Sequence, residues 1–158
     1  MQIKALFTGS FDPFTKGHAD IVQRALTLFD TLVIGIGINK NKKTMFTTEE
    51  RMQMIQALYK GNPRIEVESY TGLAVDFAKQ INATCILRSI RSIKDYEYES
   101  TMAEINKKLS GIETLILFTN PTVAHISSSA VRELIHFGKD VTDFLPKGMS
   151  LIQKDINI

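Results

Sequence analysis

The sequence predicts an α/β fold built on a five-stranded, doubly wound parallel sheet with helices on both faces. Three observations predict it. Apolar, β-branched runs alternate five times with segments of helical apolar spacing. Some of those runs are apolar almost throughout, as strands covered on both faces are. The chain has 158 residues, enough for one real core, and no linker, repeat or low-complexity segment divides it, so residues 1–158 read as one domain.

Ile3 to Thr8 (IKALFT) reads as a buried strand. Gly17 to Phe29 reads as a helix, with apolar residues at Ile21, Val22, Ala25, Leu26 and Phe29. Thr31 to Ile38 (TLVIGIGI) is a second buried strand. Thr47 with Glu50 three residues on forms a capping box, opening a helix through Met52, Ile55 and Leu58. Arg64 to Tyr70 alternates Ile65, Val67 and Ser69 with Glu66 and Glu68, which predicts a half-exposed strand. Leu73–Ile81 is a short helix, Thr84–Leu87 a buried strand, Asp95–Leu109 a helix and Glu113–Phe118 the fifth strand. Ser127–Phe137 is a helix that Gly138 closes in a left-handed cap. Leu151–Lys154, after Pro146, is predicted as a last short helix.

Composition excludes more than it assigns. The apolar fraction is 44% and the charged fraction 23%, ordinary for a soluble globular chain. A net charge of +2 is too small an excess to predict a nucleic-acid partner, which calls for a clustered basic face. The basic clusters Lys40/Lys42/Lys43, Arg88/Arg91 and Lys107/Lys108 matter more than the total. The lone cysteine, Cys85, lies in an apolar run and reads as a structural thiol. Met1-Gln2-Ile3-Lys4 opens no signal-peptide segment, and the longest apolar run, Leu32–Ile38, is too short to span a membrane. The expectation is a cytoplasmic protein with no membrane association.

In an open parallel sheet, ligands bind beyond the carboxyl ends of the strands. The segments there are Gly9–Gly17, Asn39–Phe46, Thr71-Gly72, Arg88–Ile93 and Thr119–Ser129. They carry Ser10, His18, Lys40, Lys42, Lys43, Arg88, Arg91, His125 and Ser127 to Ser129, nearly all donors to an anion. A phosphate-bearing ligand is the direct inference. Gly17-His18 falls at a helix N-terminus, where free N–H groups and the dipole favour an anion and the imidazole adds a donor. Arg88 and Arg91 have the forked geometry that suits phosphate. Spacing does not choose among the three lysines. Ser127 to Ser129 offer hydroxyls and N–H groups at another helix start. His136 is accounted for by the dipole at its helix end. Asp12, Asp95 and Glu99 are not linked by metal-ligand spacing, so no protein-held metal is expected. No Walker A, GxGxxG or serine-elbow pattern occurs.

Gly9-Ser10-Phe11-Asp12-Pro13 with Thr15-x-Gly17-His18 resembles the first signature of the nucleotidyltransferase superfamily. Ile126-Ser127-Ser128-Ser129-x-x-Arg132 resembles the second. Between them stand Asn39-x-x-Lys42-x-x-x-Phe46, Thr48-x-Glu50-Arg51, and Arg88-x-x-Arg91 followed by Asp95-x-Glu97-Tyr98-Glu99. That set, in that order from Ile3 to about Leu145, is similar to the bacterial phosphopantetheine adenylyltransferases.

The resemblance implies a Rossmann-like form of the fold and transfer of the adenylyl group of ATP to 4'-phosphopantetheine. It implies Mg2+ carried by ATP and a homohexamer built as a dimer of trimers. Carried over residue by residue, His18, Lys42 and Arg91 would be catalytic. Ser10, Lys42, Arg88, Asn106 and the main chain at Ala74 would bind phosphopantetheine. Ser10, Phe11, His18, Ser89, Ile90, Arg91 and Glu99 would contact ATP. Val123, Ala124, His125, Ile126, Ser127, Ser128 and Ser129 would close over its adenine and phosphates.

Two positions depart from the family pattern: Ser89 stands where glycine is usual, and Thr8 where proline is. If the Ser89 position required positive φ, serine would cost about 1 kcal/mol or more. Two rival readings remain. A sister enzyme would act on nicotinate mononucleotide or glycerol phosphate, against which Arg88-x-x-Arg91 with Asp95-x-x-x-Glu99 resembles the phosphopantetheine group. A nucleotide-binding regulator would bind ATP without chemistry and would have no use for the additional basic groups.

Overall fold

The computed structural model describes residues 2–154. Strands β1 (Lys4–Gly9), β2 (Thr31–Ile38), β3 (Ile65–Thr71), β4 (Cys85–Ile90) and β5 (Glu113–Phe118) alternate with helices α1 (Lys16–Ala25), α2 (Thr48–Leu58), α3 (Ala74–Gln80), α4 (Ile93–Ser110) and α5 (Ser128–His136). The five strands form one all-parallel sheet in the order β3-β2-β1-β4-β5. The direction of winding reverses between β1 and β4, which makes their carboxyl ends the topological switch point.

Period-2 alternation on β1 sends its side chains into two separate cores. Ala5 and Phe7 pack with Ile34, Ile36 and Leu87 under Ile21, Val22 and Ala25 of α1 and Ile55 of α2. Leu6 faces the other way, with Val33 and Ile86, against Val75, Phe77 and Ala78 of α3. Gly35 is required here, because a Cβ on it would stand 2.7 Å from Leu6 Cδ1 and 3.3 Å from the Tyr70 ring. Its absence lets Tyr70 lie over β2 and stack on Phe77 at 4.7 Å between centroids, 7° from parallel. Burial pushes the Cys85 thiol up to about 11, as expected of a structural residue.

Helix ends follow local chemistry. The Thr47–Glu50 capping box opens α2. Ser127 caps α5, its hydroxyl accepting from Ala130 N–H at 3.1 Å. Gly138, just past α5, takes φ 67°, the left-handed value expected of it.

Three predicted boundaries shift by more than one residue, and one predicted helix is absent. Helix α1 ends at Ala25, and Leu26–Leu28 form a turn rather than its last turn. Helix α4 starts earlier than expected because Ser92 caps it by accepting from Asp95 N–H at 3.1 Å. Strand β4 continues to Ile90, so Arg88 and Ser89 lie within the strand and not after it. Residues 151–154 form no helix: four residues cannot nucleate one after Pro146 and Gly148, the latter at φ 85°. A 3-10 turn at Thr142–Phe144 precedes them instead. The extended tail brings Lys154 to an ion pair with Glu50 and sets its Nζ 5.5 Å from the centre of the Phe46 ring.

Candidate active site

The loop from β1 to α1 is held from three sides. The Asp12 carboxylate is buried and accepts from Met45 N–H and Phe46 N–H, both at 2.9 Å. Arg51 Nη1 donates to Ser10 O at 2.6 Å, and Arg132 Nη1 to Asp12 O at 2.7 Å. Ser128 Oγ donates to Pro13 O at 2.8 Å. Phe11 has φ 49°, and its ring lies where a Cβ on Gly9 would come within 3.0 Å. Glycine at position 9 is what lets the ring fold back over the strand end. There it packs against His18 edge-on, at 5.0 Å between centroids.

His18 stands in the first turn of α1, and one contact sets its chemistry. Thr15 N–H donates to His18 Nδ1 at 3.0 Å, so Nδ1 must carry a lone pair and the neutral ring keeps its proton on Nε2. Burial, then the charges of Arg88 and Arg91, lower its pKa from 6.5 to about 4. At neutral pH, His18 is therefore an uncharged Nε2–H donor lining the cleft.

Arg88 is the centre of the site. Its side chain forms a fork on Glu99, Nε to Oε2 at 2.9 Å and Nη2 to Oε1 at 2.5 Å. Its Nη1 donates to both the carbonyl and the hydroxyl of Thr8. Arg91 Nη1 reaches Ile126 O at 3.3 Å, and Arg91 N–H donates to Asp95 at 3.1 Å.

Four cavities meet at Arg88. One of about 220 Å³ runs between the starts of α1 and α5, past Thr15, His18, Arg91 and Ser127. One of about 200 Å³ joins Ser10, Phe11, His18, Ser89 and Ser128. The largest, about 650 Å³, is lined by Ser10, Lys42, Arg51, Tyr70 and Tyr98. A fourth, about 160 Å³, holds Ala74, Glu99, Met102 and Asn106. Arg88 lines all four.

Most of the sequence-predicted site residues thus converge. Of the three lysines only Lys42 lines these cavities, on an exposed loop. Ile126 joins Ser127 in the first cavity, while Ile90 faces a separate apolar hollow with Arg91. Four residues lie outside the cavity walls. Val123 packs on the small core of Ile126 and Val131, and Ala124 is half-buried beside it in the chain. His125 is exposed, 6.5 Å from the Phe144 ring. Ser129 Oγ accepts from Arg132 Nη2. Ser89 carries no backbone strain: it pairs with Leu117 inside the sheet, and Phe11 and Asn82 are the non-glycine residues with positive φ among those described. The conditional cost of serine there does not arise.

Sequence reasoning gave no role to Asp12, Arg51, Arg132 or Thr8. For Arg51 a signal existed. It shares the buried face of α2 with Met54 and Ile55, and a charge on an apolar stripe needs partners.

Among the described residues no group of His, Cys, Asp or Glu could hold a metal ion. The carboxylates near the cleft are engaged: Asp12 by backbone N–H groups, Asp95 by Arg91 and Glu99 by Arg88. That donor set does not fit a protein-held metal cage. No helix among the described residues is long and apolar enough to cross a membrane.

A neutral donor at a helix start stands beside two arginines at the switch point, an arrangement consistent with the nucleotidyltransferase class that the sequence motifs resemble. Known proteins agree. Residues 6–134 match the family model described as Cytidylyltransferase-like. Phosphopantetheine adenylyltransferase of Bacteroides fragilis is 55% identical over 148 residues, 94% of this chain and 99% of that one. The enzyme of that name from Phocaeicola vulgatus is 56% identical over 94% of this chain and 98% of its own. The chain belongs to the Cytidylyltransferase-like family and, within it, to the phosphopantetheine adenylyltransferases.

Solved structures share the fold. A bifunctional NMN adenylyltransferase/ADP ribose pyrophosphatase from Francisella tularensis superposes with TM-score 0.69 at 17% identity, over 92% of this chain and 44% of that longer one. A lipopolysaccharide core biosynthesis protein from Thermoplasma volcanium gives 0.55 at 20% identity, over 76% of this chain and 98% of that one.

Proposed function

We propose that this chain transfers the adenylyl group of ATP to 4'-phosphopantetheine, releasing pyrophosphate and forming dephospho-coenzyme A in the cytoplasm. The observation that carries the reading is Arg88 as the common wall of a cavity at the helix starts and a larger one beside Lys42. Such a cleft suits two phosphorylated substrates meeting at Ser10 and His18.

The phosphate of phosphopantetheine attacks the α-phosphorus of ATP in line, and no covalent enzyme intermediate forms. A phosphomonoester is already an anion near neutrality, its second pKa being about 6, so no general base is required. The task is to bring two polyanions together, which positioning and charge neutralisation accomplish. The starts of α1 and α5 hold the ATP phosphates. His18 Nε2–H and Arg91 stabilise charge on the transferring group, and Lys42 neutralises the incoming phosphate. Magnesium enters as part of the MgATP substrate.

Turnover of ATP with 4'-phosphopantetheine, followed as dephospho-coenzyme A, tests the reading. Pyrophosphate release with nicotinate mononucleotide or glycerol phosphate instead would identify a sister enzyme. ATP binding without release from any acceptor would identify a regulator.

Lys42→Met raises KM for phosphopantetheine at least ~10-fold and lowers turnover, the scale of one charge-assisted contact. Lys40→Met and Lys43→Met stay near wild type in the same steady-state assay; a larger effect from either would reassign the role.

The assembly proposed is a homohexamer, a dimer of trimers. Ile93 is 80% exposed and Phe118 73%, and they flank an apolar hollow of about 500 Å³ with Tyr96. A monomer by light scattering would contradict it.

A further inference from the structure

We infer that Thr8 is a positioning residue: together with Glu99 it locks the Arg88 guanidinium in one orientation before either substrate binds. The inference rests on the proposed reaction for its kinetic consequence, not for its geometry.

The β1–β4 ladder ends at Phe7↔Leu87, whereas β1–β2 pairing continues to Gly9↔Ile36. The strands part where the cleft opens, and the Thr8 carbonyl faces β4 without a ladder partner there. Arg88, the first residue of β4 past the ladder, supplies that partner through Nη1. The Thr8 hydroxyl accepts from the same nitrogen at 3.0 Å. Two acceptors on Nη1 and two carboxylate oxygens on Nε and Nη2 engage four of the five N–H groups of Arg88. They fix both the plane of the guanidinium and its rotation within that plane. A single Nη2 N–H remains for a ligand.

Arg88 therefore acts as a preset wall carrying a fixed positive charge, paired with Glu99, and does not grip phosphate with an open fork. Thr8 and Glu99 are both buried, so solvent does not compete for these contacts. The carbonyl contact is indifferent to the side chain at position 8. The hydroxyl contact requires threonine or serine. Thr8 also lines three of the four cavities, so loosening Arg88 changes the shape of the acceptor side directly.

The test is Thr8→Val in the full-length enzyme, a swap that removes the hydroxyl and little volume. KM for 4'-phosphopantetheine is expected to rise roughly tenfold, with KM for ATP little changed, and Thr8→Ser is expected to restore it. The Arg88 Nε–H resonance is expected to be sharp and slowly exchanging in the wild type, to broaden in Thr8→Val and to sharpen again in Thr8→Ser. An unchanged KM with a sharp resonance would overturn the inference, as would a fall in melting temperature alone. If wild type does not use 4'-phosphopantetheine, the proposed reaction fails, and the Arg88 resonance still decides whether Thr8 positions it. If Thr8→Val does not fold, Glu99→Gln, which withdraws one acceptor from the fork, is read by the Arg88 resonance alone: broadening supports the lock, and a resonance as sharp as wild type would overturn the inference.

Discussion

His18→Ala lowers turnover by at least ~100-fold, the scale of one transition-state donor lost from a preorganised site. The prediction rests on the tautomer. Thr15 N–H occupies Nδ1, so the ring presents Nε2–H to the cleft and nothing else. Alanine also removes the edge-on contact with Phe11, but the fold does not depend on that contact, since Phe11 keeps Phe7 at 5.2 Å and Phe14 at 5.4 Å. His18→Gln, which can present an N–H at a similar reach, recovers part of the loss. A coupled pyrophosphate assay reads both variants; near-normal turnover in His18→Ala would remove His18 from the chemistry.

The same residue sets a pH dependence of stability. Unfolded His18 takes up its proton near pH 6.5, and folded His18 near 4. Between those values the unfolded chain binds more protons, so stability rises with pH across the window. The contribution is fully present above pH 6.5 and lost as pH falls toward 4. Its size is on the order of 3 kcal/mol at most. Urea unfolding at either end of the window, in wild type and His18→Gln, isolates it. The kcat/KM profile has no inflection from His18 between about pH 5 and 8, because that profile reports the free enzyme. An inflection near pH 6 belongs to the phosphate of the substrate.

How much of this was legible follows from which interactions are local. Caps and turns involve neighbours, and Thr47–Glu50, Ser127 and Gly138 behave as their spacing predicts. Strands β1, β2 and β4 were visible because buried strands announce themselves by composition, and β3 because its apolar and acidic residues alternate. Their order was not, since it depends on which apolar faces find each other. Gly17-His18 could be placed at a helix start, but its tautomer could not: it depends on a backbone N–H turned toward the ring. Arg88 was expected in a loop, with an open fork. Pairing with Ile116 of β5 keeps it within β4, and its contacts with Glu99 and with Thr8, 80 positions away in sequence, close the fork. Asp12 was read only as a carboxylate near strand ends, because its partners Met45 and Phe46 offer main-chain groups, which leave no mark on the sequence.

Asp12→Asn is expected to destabilise the protein by about 2–3 kcal/mol, the cost of a lost charge-assisted bond and a stranded buried N–H. The carboxylate accepts two separate N–H groups, one on each oxygen. Asparagine has one oxygen to offer, and its amide nitrogen then faces the other N–H, donor against donor. Asp12 is 2% exposed, so water does not repair the mismatch. For a chain of this size each kcal/mol lowers the melting temperature by about 2–4 °C, giving a drop of roughly 4–12 °C. The damage is also functional, because Asp12 ties the Ser10 loop to the segment that follows Lys42. Releasing it raises KM for phosphopantetheine more than KM for ATP. Thermal unfolding and the two KM values check this together. A melting temperature within about 1 °C of wild type would mean that the two loops are held independently and that the Asp12 bonds merely accompany their approach.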